Sequence, residues 1–239
     1  MKKIKTIIII TLVIFLMSVI GITIYANDYY RADEVALTFM ESSDSVIVIN
    51  HKSHISFEPS SYDKGIIIYP GGKVDEKAYA VLAHKLALEN ILVVIVKMPH
   101  KLAIFNINGA NQVLANYDIS DWYLMGHSLG GAMGASYLGK NHAKFKGLIL
   151  LAAYATNNLK DTNLDVLLLK GENDLVLNQS KYEDSKKNLP THYKESIIIG
   201  GNHAYFGSYG KQDKDGIATI EPMDQINQTT SLVINFINE

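Results

Sequence analysis

No cysteine occurs among the 239 residues, so the chain can form neither a disulfide framework nor a thiolate metal site. An excess of charge of either sign is missing as well. The 22 lysines and arginines stand against 24 aspartates and glutamates, a formal net charge of −2. Nucleic-acid binding needs a basic footprint that this balance does not supply. Internal repeats and low-complexity tracts are absent too, which argues against a solenoid or a mostly disordered chain. What remains is 48% hydrophobic, enough for one packed domain of about 200 residues with a further segment attached.

That segment is N-terminal. Lys2, Lys3 and Lys5 precede Thr6 to Ala26, a stretch without a single charge. As a helix it would reach roughly 30 Å, the thickness of a bilayer core. A cleaved signal wants small residues at −3 and −1, and cutting after Ala26 would place Ile24 at −3. The expectation is therefore an uncleaved transmembrane anchor over residues 1–26, with secretion after signal cleavage as the alternative. The lysines lie before the span, and Asp28, Arg31, Asp33 and Glu34 after it. The positive-inside rule then puts the N-terminus in the cytoplasm and the rest of the chain outside. Residues 27–44 read as a polar stalk, and residues 45–239 as the catalytic domain.

From Ser45 onward short apolar runs alternate with helical patterns. SVIVIN (45–50) and Ile55 to Phe57 suit a hairpin. GIIIY (65–69) and ILVVIV (91–96) are unbroken apolar runs, as expected of strands buried on both faces. Lys146 to Ala152, Asp165 to Lys170 and Lys194 to Ile199 continue the series. Between them the spacing predicts helices over 75–90, 103–117, 129–141 and 179–188, and a closing helix from Pro222 to Ile237. Such alternation points to an α/β fold with a mostly parallel sheet covered on both faces. In sheets of that kind ligands sit beyond the C-terminal strand ends.

The chemistry-bearing stretch is DWYLMGHSLGGAMG (121–134), a strand, a sharp turn and a small-residue helix. Gly126-His127-Ser128-Leu129-Gly130 has the G-x-S-x-G spacing of a nucleophile elbow. A serine at such an apex exposes its hydroxyl, and the flanking glycines remove side chains that would collide with neighbouring elements. The hydroxyl needs a base, and the base needs an acid to hold its tautomer. In the elbow arrangement these follow in the order serine, acid, histidine. Asp174, in Gly171-Glu172-Asn173-Asp174 after one strand, is the acid of choice over Glu172, Asp165 and Asp161. His203, in Gly200-Gly201-Asn202-His203 after the last strand, is the base.

Two backbone donors should form the oxyanion hole. One is the amide of Leu129, and the other comes from Pro70-Gly71-Gly72-Lys73, with Gly72 preferred and Lys73 as the alternative. His127 reads as a packing residue, and His51, His54, His84 and His142 as surface residues. Lys97 is either an anion-steering group or a solvated strand end. Asp213 and Asp215 before Gly216 are read as a surface turn, since most ligands of a calcium loop are missing. No metal or organic cofactor is expected, and nothing speaks to oligomeric state.

Five stretches carry a family likeness: YPGGKVDEKAY (69–79), VVIVKMP (93–99), GHSLGGAMGASY (126–137), LLAAY (150–154) and GGNHAYFGSYG (200–210). Over about residues 45–239 the chain resembles the α/β-hydrolase superfamily, and more narrowly a group of small exported or membrane-anchored bacterial α/β hydrolases. The resemblance implies the triad Ser128–Asp174–His203 and an esterase-like activity. The chain departs from the lipase-type pattern in having PGG rather than HGGG.

About ten residues separate Tyr154 from Asp165, too few for a lid domain. The expected site is thus open, lined by the aromatic loop at 205–209, and takes small carboxylic esters as substrate. Acyl transfer or amide cleavage with the same triad is the alternative activity, and a catalytically silent anchored binding module the alternative class.

Overall fold

The computed structural model describes residues 2–239, apart from the side chains at positions 2, 3, 6, 24 and 26. Its strands are β1 (Val46–Asn50), β2 (His54–Pro59), β3 (Lys64–Tyr69), β4 (Ile91–Val96), β5 (Asp121–His127), β6 (Gly147–Leu151), β7 (Asp165–Gly171) and β8 (Lys194–Ile198). Among the described residues they form one sheet in the order β1-β2-β4-β3-β5-β6-β7-β8. The β1–β2 and β2–β4 pairs are antiparallel, and every other pair is parallel.

Because successive side chains of a strand point to opposite faces, each central run feeds two cores. In β3, Ile66 and Ile68 join Val93, Ile95 and Met125 on one face, against α3 (Ala80–Ala87) and α7 (Pro222–Ile237). Ile67 and Tyr69 join Val94 and Leu124 on the other. That face is covered by α4 (Ala110–Leu114), α5 (Leu129–Asn141) and α6 (Gln179–Ser185). Burial on both sides is why GIIIY and ILVVIV show no alternation.

Some helical expectations need shortening. The 75–90 segment opens as a 3-10 turn over Glu76–Tyr79, capped by the Asp75 carboxylate, before α3 begins. Over 103–117 only a 3-10 turn (Ala103–Phe105) and the five-residue α4 are helical. Here the chain hugs the end of β4, and a Cβ on Gly109 would stand 2.6 Å from Val96 Cγ1. In 179–188 the helix tightens to 3-10 geometry at Lys186–Asn188.

The N-terminal expectations need larger corrections. Lys2–Asn27 is helical (α1), and Ile7, Leu12 and Phe15 on it are exposed. Yet among the described residues no helix is long and apolar enough to cross a membrane, which overturns the transmembrane anchor. The side chains of Lys2, Lys3, Ile24 and Ala26, on which the orientation and cleavage readings turned, lie outside the described ones.

Residues 27–44, the polar stretch before the sheet, are tied to the domain. Tyr30 forms a parallel bridge to Val74. Its N–H donates to the Lys73 carbonyl at 2.7 Å, and its carbonyl accepts the Asp75 N–H at 2.9 Å. The Tyr30 ring packs on Tyr209 at 5.6 Å, and its hydroxyl accepts the Asp213 N–H at 3.1 Å. Asp28 pairs with Lys73 at 2.6 Å. A short helix, α2 (Glu34–Thr38), capped by Asp33, then buries Ala36 in the core. Replacing Tyr30 by Ala removes the ring contact and the hydroxyl acceptor. It is expected to lower unfolding free energy by about 2 kcal/mol, read from urea denaturation.

Candidate active site

At the end of β5 the backbone turns sharply into α5, and Ser128 sits at the apex with φ 50° and ψ −121°. A non-glycine residue rarely adopts that conformation, and it persists only where the surroundings impose it. They do so here. The Ser128 N–H donates to the Leu151 carbonyl at 2.9 Å, fastening the apex to β6. On the helix side a Cβ at Gly130 would lie 2.2 Å from the Tyr69 carbonyl oxygen. At Gly126 it would lie 2.4 Å from the Gly131 Cα. The glycines let α5 ride directly on the ends of β3 and β5, which sets the serine at the rim.

Asp174 and His203 arrive at the same rim from the loops after β7 and β8. Both are buried, and His203 Nδ1 lies 2.9 Å from Asp174 Oδ2. Oδ1 of Asp174 accepts the N–H groups of Val176 and Leu177 at 2.9 and 2.8 Å. Caught on both oxygens, the carboxylate has little freedom to turn away from the imidazole. Of its rivals, Glu172 accepts the Gly200 N–H at 2.9 Å and so braces the base loop. Asp165 faces His192 at the opposite strand end, and Asp161 lies in the β6–β7 connection away from the pair.

The His203 loop is further held by two residues whose part the sequence reading missed. Asp215, read as part of a surface turn, accepts the N–H groups of His203 (3.2 Å) and Ala204 (2.9 Å) on separate oxygens. Gln225 on α7 is fully buried and clasps Asn202, accepting its N–H at 2.9 Å and donating to its carbonyl at 2.8 Å. The one available clue to Asp215 was its place a dozen residues after the histidine. Gln225 had none, because its role depends on where α7 crosses the sheet.

Ser128 and His203 line one cavity of about 250 Å³ with Leu129, Ala132, Tyr154 and Leu177. His203 Nε2 is buried and has no hydrogen-bond partner among the described residues. The 205–209 loop does not line this space as expected. Phe206 is buried against His127, and Tyr209 against Tyr30. Tyr154 is the aromatic residue at the cavity instead. Residues 152–164, between β6 and β7, hold no helix or strand among the described residues, in keeping with the absence of a lid domain.

In the loop after β3, the Gly71 N–H donates to Tyr79 Oη at 2.9 Å, and the Lys73 N–H to the Lys101 carbonyl at 2.7 Å. The Gly72 amide has no internal acceptor among the described residues. Its Cα faces Leu129, so a Cβ there would stand 3.0 Å from Leu129 Cδ2. Gly72 and Leu129 thus stand together, and the Lys73 alternative loses its amide to Lys101.

Other expectations change with burial. His54 and His84 are buried rather than on the surface. Burial, with His51 and Lys97 close by, pulls the His54 imidazole down to about 4, and His84 packs edge-on between Phe39 and Phe57. Lys97 donates to Asn50 Oδ1 and to the His51 carbonyl, which makes it a brace on the β1–β2 turn. Among the described residues no group of three or more His, Asp or Glu is placed to hold a metal ion.

The family whose model matches residues 65–227 is described as the alpha/beta hydrolase family. Among curated proteins none matches the sequence. Two solved structures share the fold. One is a predicted CIB-like hydrolase from Thermoplasma acidophilum, 14% identical, with TM-score 0.58 over 80% of this chain and 98% of that one. The other is TT1662 from Thermus thermophilus, 11% identical, with TM-score 0.59 over 81% and 99%.

Two glycines of α5 separate close approach from helix propensity. Gly130→Ala drives its methyl into the Tyr69 and Pro70 carbonyl oxygens. It should cost about 3 kcal/mol or more, seen as loss of soluble protein or a lowered melting temperature. Gly134→Ala meets only the Leu124 side chain at 3.1 Å, and should stay within about 1 kcal/mol of the parent.

Proposed function

The chain belongs to the alpha/beta hydrolase family, and on that premise we propose that it is a serine hydrolase of small carboxylic esters. One observation carries this reading. Ser128, in a strained apex conformation, shares a cavity with His203, whose far nitrogen is held by buried Asp174 at 2.9 Å.

In the proposed reaction Ser128 Oγ attacks the ester carbonyl carbon while its proton passes to His203 Nε2. Asp174 accepts from the Nδ1–H, fixes that tautomer and stabilises the imidazolium as it forms. Negative charge developing on the carbonyl oxygen is met by the Leu129 and Gly72 amides, two fixed donors needing no reorganisation. Collapse of the tetrahedral intermediate returns the proton to the leaving alcohol and leaves an acyl-enzyme. Water, deprotonated by the same histidine, then releases the acid. His203 Nε2 has no hydrogen-bond partner among the described residues, and a serine–histidine contact commonly tightens in the substrate complex. The small cavity, below the 300–1,000 Å³ usual for drug-sized ligands, favours short acyl groups.

Three measurements test the proposal. A fluorophosphonate probe is expected to label the parent and not Ser128→Ala, and that variant should lose at least about a thousandfold in kcat. On a chain-length panel, turnover should favour short esters, with no jump at the micellar threshold of longer ones. An unlabelled parent, or a Ser128→Ala variant with near-parental turnover, rejects the assignment. Transfer of the acyl group to a competing alcohol in preference to water would point to an acyltransferase.

A further inference from the structure

The variable residue of the pentapeptide, His127, is fully engaged. Its Nε2 lies 3.1 Å from the His203 carbonyl oxygen, and its Nδ1 lies 2.7 Å from Tyr79 Oη. A carbonyl only accepts, so Nε2 carries the hydrogen. Burial, with His203 beside it, holds the His127 imidazole well below its ordinary value, so the ring is neutral. Nδ1 is then a bare acceptor, and the Tyr79 hydroxyl must donate to it. The phenol is wholly buried, and burial pushes its ionisation up, so it keeps the proton it donates. A lone pair on the same oxygen accepts the Gly71 N–H at 2.9 Å.

Every donor and acceptor in the line Gly71 N–H, Tyr79 O–H, His127 N–H, His203 C=O therefore has one direction only. We propose that His127 and Tyr79 are positioning residues that lock the oxyanion loop to the base loop, an inference that rests on the serine-hydrolase reading above. One end of the line fixes the peptide just before the Gly72 amide. The other fixes the backbone that carries the His203 ring. Gly71 belongs to the device as well, since a Cβ there would stand 2.8 Å from His127 Nδ1 and 3.0 Å from Tyr79 Oη. Neutrality matters, because the rings of His127 and His203 are 4.8 Å apart. A charge on His127 would oppose the imidazolium that the reaction forms.

Tyr79→Phe deletes one oxygen and leaves the ring in place. We expect kcat on a short ester to fall about tenfold to a hundredfold, less than or comparable to loss of a whole oxyanion donor. KM should stay within about twofold. Affinity for a short alkylboronic acid, which forms a tetrahedral adduct on the serine, should weaken by the same factor as kcat. A merely structural loss would lower yield or melting temperature without that match. In the parent, nitrogen NMR should show His127 as the neutral Nε2–H tautomer at the pH where a free imidazole is half protonated. His127→Gln provides the second variant, expected to lose activity in the same range. A parent that labels with fluorophosphonate, alongside a Tyr79→Phe variant with unchanged kcat and boronate affinity, overturns the relay alone. A His127 that titrates near its ordinary value in the parent also overturns it. A parent that does not label overturns the hydrolase reading, and the relay with it.

Discussion

The close seat of α5 on the ends of β3 and β5 is the constraint from which the site follows. Helix and strand approach so nearly that a methyl group at Gly130 would overlap a backbone oxygen of β3's last residue. With that distance set, the chain has one residue in which to reverse from strand to helix, and Ser128 takes the strained conformation as a result. α5 then begins at Leu129, directly after the serine, and the first amides of a helix have no carbonyl within it to bond. The strained turn at Ser128 and the helix start beside it are thus two consequences of one packing contact.

What surrounds the elbow is loop, and loops need ties to act as rigid parts. Three carboxylates supply most of them. Asp174 takes two amides of its own loop, Glu172 reaches to Gly200, and Asp215 takes the two amides that open the turn at His203. Hydrogen bonds from amides to a charged carboxylate are stronger than neutral ones. They therefore hold the loops of Asp174 and His203 in register, in addition to the burial of Leu177, Ala204 and Phe206. The polar line through Tyr79 and His127 extends the same principle to the third loop, using neutral groups where a charge would disturb the base.

Much of this was legible in the sequence, and for identifiable reasons. Unbroken aliphatic runs marked the buried parallel strands, because two-sided burial erases alternation. The placement of Ser128, Asp174 and His203 at one rim was legible because the elbow spacing constrains the helix seat, and because the loops after the strands converge there. What escaped was whatever depends on contact between distant segments. Asp215 looks like any turn aspartate until its loop folds back over His203. His127 looks like filler until Tyr79, 48 positions earlier, is brought to its ring. The N-terminal region failed differently. Composition suggested an anchor, which no described helix provides, and a polar stalk, whose backbone pairs with the domain where Tyr30 meets Lys73 and Asp75.

That pairing changes what the domain consists of. Tyr30 bonds the backbone on either side of Val74 and packs on Tyr209, so residues 28–33 touch both the loop after β3 and the loop beyond His203. Lys73, next to the Gly72 amide, holds φ 59° and is gripped from two sides, by Lys101 through its N–H and by Tyr30 through its carbonyl. A non-glycine residue in that conformation costs of order 1–3 kcal/mol and needs neighbours to maintain it. The segment before the first strand is one of those neighbours. The backbone of the loop after β3 is therefore held in part by residues that precede the first strand.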